Sequence, residues 1–237
     1  YIEGNNALIA TSEGIKNMKV IIIAPHMDDE VLGCGGTIVR HINAGDHVTV
    51  CVVANRAYNH KYDPELIEKE KASCKKAQTI LSYQDLVFLD LPDEQLDHCQ
   101  IDIIIPLEEV VNRCRPDTVY VPHRGDLNQD HRAIFEAARV VCRPNAEHRI
   151  TTLRAFEVPS STDQIPGINE WPFLPNYYVN IKDSLEQKIG AMACYSKESK
   201  PFPHPRSSEG LRVYAKKRGM EVGIEAAEAF VILRDGW

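Results

Sequence analysis

One α/β domain with a mostly parallel sheet and helices on both faces is predicted from three features of this chain. Apolar, β-branched runs alternate with amphipathic helical stretches over the first two thirds of the sequence. The length, 237 residues, suits one large domain that buries its own core. The clusters rich in His, Asp and Arg come directly after the apolar runs, where ligands bind in open α/β sheets.

The elements follow in order. Lys19 to Ala24 is a continuous apolar run, expected for a strand buried on both faces. A helix is predicted from about Asp29 to Ala44, stopped by Gly45, and His47 to Ala54 is the second strand. Asp63 reads as an N-cap with Pro64 at the first helical position, opening a charged amphipathic helix to about Leu81. Leu86 to Leu89 is the third strand, and residues of about 102–114 form a helix with Pro106 near its first turn. Thr118 to Val121 is the fourth strand, and Asp130 to Cys142 the next helix. Strands follow at Ile150 to Val158 and Tyr177 to Ile181, then a helix capped by Asp183 and running to about Tyr195. A helix from about Glu209 to Arg218 and a strand near Phe230 to Leu233 close the chain. Residues 159–176 hold four prolines and few apolar anchors, so they are expected to form a loop on the surface or over a site. Residues 1–17 read as an N-terminal extension or cloning remnant, with Met18 as the expected native start.

Composition narrows the function classes. Hydrophobic residues make up 43% and charged residues 26%, ordinary globular values. The net charge of -7 argues against a phosphate-tracking nucleic-acid binder, and no apolar stretch approaches the ~20 residues of a membrane span. Seven scattered cysteines without a Cys-x-x-Cys pair read as free thiols in a reducing, cytoplasmic setting.

Four polar clusters sit at predicted strand ends: Pro25 to Glu30, Asn55-Arg56, Asp90 to Asp93, and His123 to His131. His26, Asp29 and His131 could converge on one divalent ion, because imidazole nitrogen and carboxylate oxygen suit zinc and three ligands leave a position for water. Asp28 beside that water could take its proton, the arrangement for hydrolysing an amide or similar acyl bond. In the plainer reading Asp28 or Asp29 caps the first helix, and Asp130 the fourth. Paired carboxylates after a buried strand favour a cation. His41, His47, His60, His98 and His148 have no such context.

The stretch Ala24 to Glu30, Ala-Pro-His-Met-Asp-Asp-Glu, resembles the His-Pro-Asp-Asp-Glu signature of the PIG-L-like (LmbE-like) de-N-acetylases. Asn128-Gln-Asp-His131 resembles their second motif, His-x-Asp-His, and the runs His204 to Ser207, Arg218-Gly219 and Ala227 to Phe230 also look like this family. The resemblance spans about residues 18 to 235. It implies a Rossmann-like sheet, one zinc ion per chain and removal of an acetyl group from an N-acetylated sugar. His26, Asp29 and His131 would then be the ligands and Asp28 the general base. Met27 replaces a proline without a chemical role, whereas Asn128 replaces a histidine and cannot titrate. Arg56, Asn128, Asp130 and Arg206 are expected at the substrate, and His204, in a Pro-His-Pro context, is a candidate acid for the leaving amine. The same resemblance allows for a homo-oligomer, and the substrate would be a free or conjugated amino sugar.

Two rival readings use the same clusters. A receiver-like domain would bind magnesium with Asp28 and Asp29 and accept phosphate at Asp90, which leaves His26 and His131 unexplained. A dinucleotide site at Gly33-Cys-Gly35-Gly36 lacks the Gly-x-Gly-x-x-Gly spacing and falls inside the predicted helix, where small residues would instead allow close packing.

Overall fold

The computed structural model describes residues 17–164 and 170–236. All but the last residue of the expected 1–17 extension lies outside them. The order is β1 (Lys19–Ala24), α1 (Asp29–Asn43), β2 (His47–Asn55), α2 (Pro64–Leu81), β3 (Asp85–Pro92), α3 (Gln100–Cys114), β4 (Thr118–Pro122) and α4 (Gln129–Val141). It continues through β5 (Thr152–Phe156), β6 (Tyr177–Asn180), α5 (Leu185–Met192), α6 (Ser208–Met220) and β7 (Ala227–Asp235). One seven-stranded sheet has the order β3-β2-β1-β4-β5-β7-β6, with β7 antiparallel to both its neighbours. The predicted mostly parallel α/β architecture is therefore the one observed.

The apolar run of β1 explains the layering. Successive side chains of a strand point to opposite faces. Val20 and Ile22 enter one core with residues of α1, α2, α5 and α6, while Ile21 and Ile23 enter the other with α3 and α4. Chain order reverses between β1 and its neighbour β4, with Ile22 paired to Val50 on one side and Tyr120 on the other. At such a reversal the following loops diverge and leave a crevice at the carboxyl ends.

The capping residues match expectation only in part. Asp63 caps α2, accepting the amides of Glu65 and Leu66, with Pro64 in the first turn. Asp183 does not cap α5. It lies inside a short 3-10 turn, Lys182–Ser184, and Ser184 holds the cap position without a side-chain bond. Asn128 rather than Asp130 caps α4, its Oδ1 accepting the Asp130 amide at 2.8 Å. The strand predicted over residues 150–158 is confined to Thr152–Phe156. No helix among the described residues is long and apolar enough to cross a membrane.

The glycines of α1 serve packing. A Cβ on Gly33 would stand 2.3 Å from the Phe156 ring of β5, and one on Gly36 would stand 2.6 Å from Ile181. Helix and sheet approach too closely there for any side chain, and this close approach aims the first turn of α1 at the crevice. Gly33→Ala should therefore destabilise the fold by about 1–3 kcal/mol in urea denaturation, the overpacking term exceeding the helix propensity gained. An unchanged or raised midpoint would contradict this packing account.

Candidate active site

The crevice at the β1–β4 switch point collects side chains from four strand ends. His26 follows β1, and Asp29 opens α1, where the amino-terminal helix dipole favours a carboxylate. His131 stands in the first turn of α4. All three are buried to 2% exposure or less. Asp29 Oδ2 is 3.3 Å from His26 Nδ1 and 3.2 Å from His131 Nε2. Donors on a tetrahedral ion with zinc-like bonds stand roughly 3.3–3.4 Å apart, so the spacing fits. These donors form one of the two groups among the described residues that could hold a metal ion.

The opposite ring nitrogens face further carboxylates. His26 Nε2 lies 2.8 Å from Asp93 Oδ1 and 3.5 Å from Asp130 Oδ2. His131 Nδ1 lies 3.3 Å from Asp126 Oδ2, though not aligned for a hydrogen bond. Carboxylates behind metal-binding imidazoles fix the tautomer and make the ring a better donor. Without a metal the same groups hold protons on the rings. Burial disfavours the imidazolium of His131, but Asp29 and Asp126 outweigh it and raise the pKa to about 9. Burial pushes the Asp29 carboxyl up, but His131 and His26 hold it well below the usual range. Asp93 and Asp126 lie in polar clusters visible in the sequence, yet nothing there pairs them with particular histidines.

Asp28 occupies a second, adjoining charge cluster. Its backbone is left-handed (φ 112°), a conformation that costs a non-glycine residue about 1–3 kcal/mol and needs outside support. Glu30 supplies it: Oε2 accepts the Asp28 amide at 3.0 Å, and Oε1 accepts the Tyr195 hydroxyl at 2.5 Å. Glu30 is fully buried, and burial raises its pKa to about 7. The Asp28 carboxylate is held by Arg56 Nη2 on Oδ1 and Arg206 Nη1 on Oδ2, each at 2.9 Å. Arg206 Nη1 also reaches Glu198 Oε2 at 2.7 Å. Burial raises the Asp28 pKa to about 6, against the pull of both guanidiniums.

These contacts sort the remaining expected residues. Arg56 and Arg206 stand at the site, and both contact Asp28. Asp130 accepts the amides of Glu94 (2.6 Å) and Leu96 (3.3 Å) and lines the cleft beside His26. Asn128, half-buried, uses its amide oxygen as the helix cap. His204 Nδ1 accepts the Arg206 amide, and burial together with Arg206 lowers its pKa. Asp90, the phosphoacceptor of the receiver reading, is half exposed and paired with Lys71, apart from Asp28 and Asp29.

A cleft of about 580 Å³ opens over His26, Arg56, Asp93 and Asn128. The described part of the loop over residues 159–176 reaches the site through residues 160–162. Ser161 and Thr162 donate to Asp126, Ser160 accepts from Arg206, and Arg124 stacks 3.4 Å from the Trp171 ring.

Tyr195→Phe should lower stability by about 1–3 kcal/mol, because it leaves a buried Glu30 oxygen with only the weak Cys74 thiol as donor. Chemical denaturation measures this, and a loss under about 0.5 kcal/mol would remove the tyrosine as a support of Glu30.

The chain is similar to several known proteins. The model of the GlcNAc-PI de-N-acetylase family, PIG-L, matches residues 21–142. The uncharacterized deacetylase YaiS of Escherichia coli K12 is 26% identical over 186 residues, covering 76% of this chain and 89% of that protein. The N,N'-diacetylchitobiose deacetylase of Pyrococcus horikoshii superposes with a TM-score of 0.75 at 22% identity, over 92% of this chain and 85% of that one. GalB, the 4-carboxy-2-hydroxymuconate hydratase of Pseudomonas putida KT2440, superposes with a TM-score of 0.73 at 20% identity, over 91% and 96%. At these identities the superpositions establish a shared fold, and that fold hosts more than one reaction.

Proposed function

Because this chain belongs to the PIG-L family, we propose that it is a zinc-dependent de-N-acetylase acting on an N-acetylated amino sugar, free or conjugated. The observation that carries this reading is the buried His26–Asp29–His131 triad, with Asp29 Oδ2 3.2–3.3 Å from one nitrogen of each histidine, beside the carboxylate of Asp28. A divalent ion held by that triad supplies Lewis acidity to an acyl carbonyl and lowers the pKa of water toward neutrality. The deacetylase named among the structural relatives acts on an N-acetyl sugar, which supports the substrate class.

The protein's own groups account for the proton movements. Asp28 takes the proton of the attacking water and returns it to the leaving amine, because Asn128 cannot titrate. Each Asp28 oxygen keeps a lone pair beside its guanidinium N–H, and loosening one guanidinium makes that oxygen more basic. Arg206 is the partner able to let go, because Glu198 already shares its Nη1. Arg56, also hydrogen-bonded to the Met27 carbonyl, keeps the other oxygen in place. The open cleft over His26, Arg56, Asp93 and Asn128 admits the sugar ring.

A panel of N-acetyl amino sugars, assayed for acetate release with zinc-loaded protein, tests the reading. Acetate from at least one is expected; none from any, at full zinc occupancy, would overturn it. His131→Ala should lose most of the roughly one zinc per chain, measured by elemental analysis, and full retention would refute the ligand set. Asp28→Asn should keep zinc while kcat falls by ~10²–10⁴-fold. Loss of zinc in Asp28→Asn with retention in Asp29→Asn would reverse the two roles.

A further inference from the structure

His26 faces two sets of donors, one with each ring nitrogen. Its Nδ1 looks into the triad already described. Its Nε2 looks toward the cleft, at Asp93 Oδ1 (2.8 Å) and Asp130 Oδ2 (3.5 Å). His26, Asp93 and Asp130 are all buried, and their donor atoms are close enough together to share one cation. All three residues line the open cleft.

We infer that His26 Nε2, Asp93 and Asp130 form a second cation site, harder than the first and antagonistic to it. Two carboxylates and one imidazole make an oxygen-rich set, suited to Mn²⁺ more than the two imidazoles and one carboxylate of the first site. The amides that donate to Asp93 and Asp130 leave lone pairs on those oxygens, since each carboxylate offers about four acceptor positions. The antagonism comes from the shared ring. A neutral imidazole has one lone pair and one N–H, so it coordinates through Nδ1 or through Nε2. A cation at Nε2 moves the ring proton to Nδ1, and Nδ1 then points a hydrogen at the first site. With Nδ1 coordinated, Nε2–H donates to Asp93 and closes the second site. Each ion must therefore weaken the other by the same factor.

This inference rests on the first triad being a metal site, and a metal titration separates the two claims. Apo protein is titrated with Mn²⁺, read by electron paramagnetic resonance, and with zinc, read by calorimetry, in wild type, His131→Ala and Asp130→Asn. Circular dichroism checks that each variant is folded. Wild type should bind about one Mn²⁺ per chain and release it on addition of one equivalent of zinc. His131→Ala should keep Mn²⁺ affinity within about threefold while zinc affinity falls by about tenfold or more. Asp130→Asn should abolish Mn²⁺ binding at millimolar concentration, while zinc still binds, weakened by no more than the ~10–100-fold that loss of a carboxylate behind a coordinating imidazole costs. Three results would overturn the second site: no Mn²⁺ binding at millimolar concentration, Mn²⁺ lost in His131→Ala as fully as zinc, or Mn²⁺ and zinc bound together without mutual effect. Zinc that survives His131→Ala but not Asp130→Asn would overturn the first site instead. If Asp130→Asn does not fold, Asp93→Asn replaces it, with the same loss of Mn²⁺ expected.

Discussion

Negative charge gathered in a dry place organises this molecule. Asp29, Asp93, Asp126 and Asp130 converge on two imidazoles at the carboxyl ends of the strands, all at 7% exposure or less. Carboxylates this close and this far from water are sustainable only with compensating positive charge and hydrogen bonds. The structure supplies the bonds from backbone amides and hydroxyls: Ala57 and Glu94 to Asp93, Glu94 and Leu96 to Asp130, Asn128, Ser161 and Thr162 to Asp126. The loops after β2, β3, β4 and β5 are each tied to this cluster. The imidazolium ions can balance only part of the charge, and a divalent ion is the natural remainder.

The adjoining cluster obeys different arithmetic. Asp28 and Glu198 face Arg56 and Arg206, so it is neutral without an ion. Consecutive aspartates thus enter opposite environments, one open to a cation and one already paired. The left-handed turn at Asp28 produces that divergence by sending its side chain away from that of Asp29. Glu30, anchored on Tyr195 from beyond α5, holds the turn in its strained form.

Residue type and spacing made part of this legible from the chain alone. His26, Asp28 and Asp29 lie within four positions, and His131 belongs to a compact motif, so the candidate triad and its neighbouring carboxylate stand out in the residue order itself. The strand and helix order followed from apolar periodicity, which both cores obey. Partners chosen by tertiary folding were not legible. Nothing local joins Asp93 to His26, Asp126 to His131, or Tyr195 to Glu30 across 165 positions. Caps failed for a related reason: Asp130 and Asp183 are suitable types, but Asp130 is drawn to the amides after β3, and Asp183 sits inside a 3-10 turn.

The tether between Asp126 and the loop after β5 bears on how such an enzyme can change its diet. Ser161 and Thr162 hang the border of the cleft on the same carboxylate that stands behind His131. Remodelling this rim to admit a bulkier or differently charged sugar therefore pulls on the carboxylate behind His131. Trp171 is bound into the same corner, its carbonyl 3.0 Å from His123 Nε2 and its backbone against Gly125, next to Asp126. The hydroxyl pair therefore stays fixed while substrate preference changes elsewhere along the cleft.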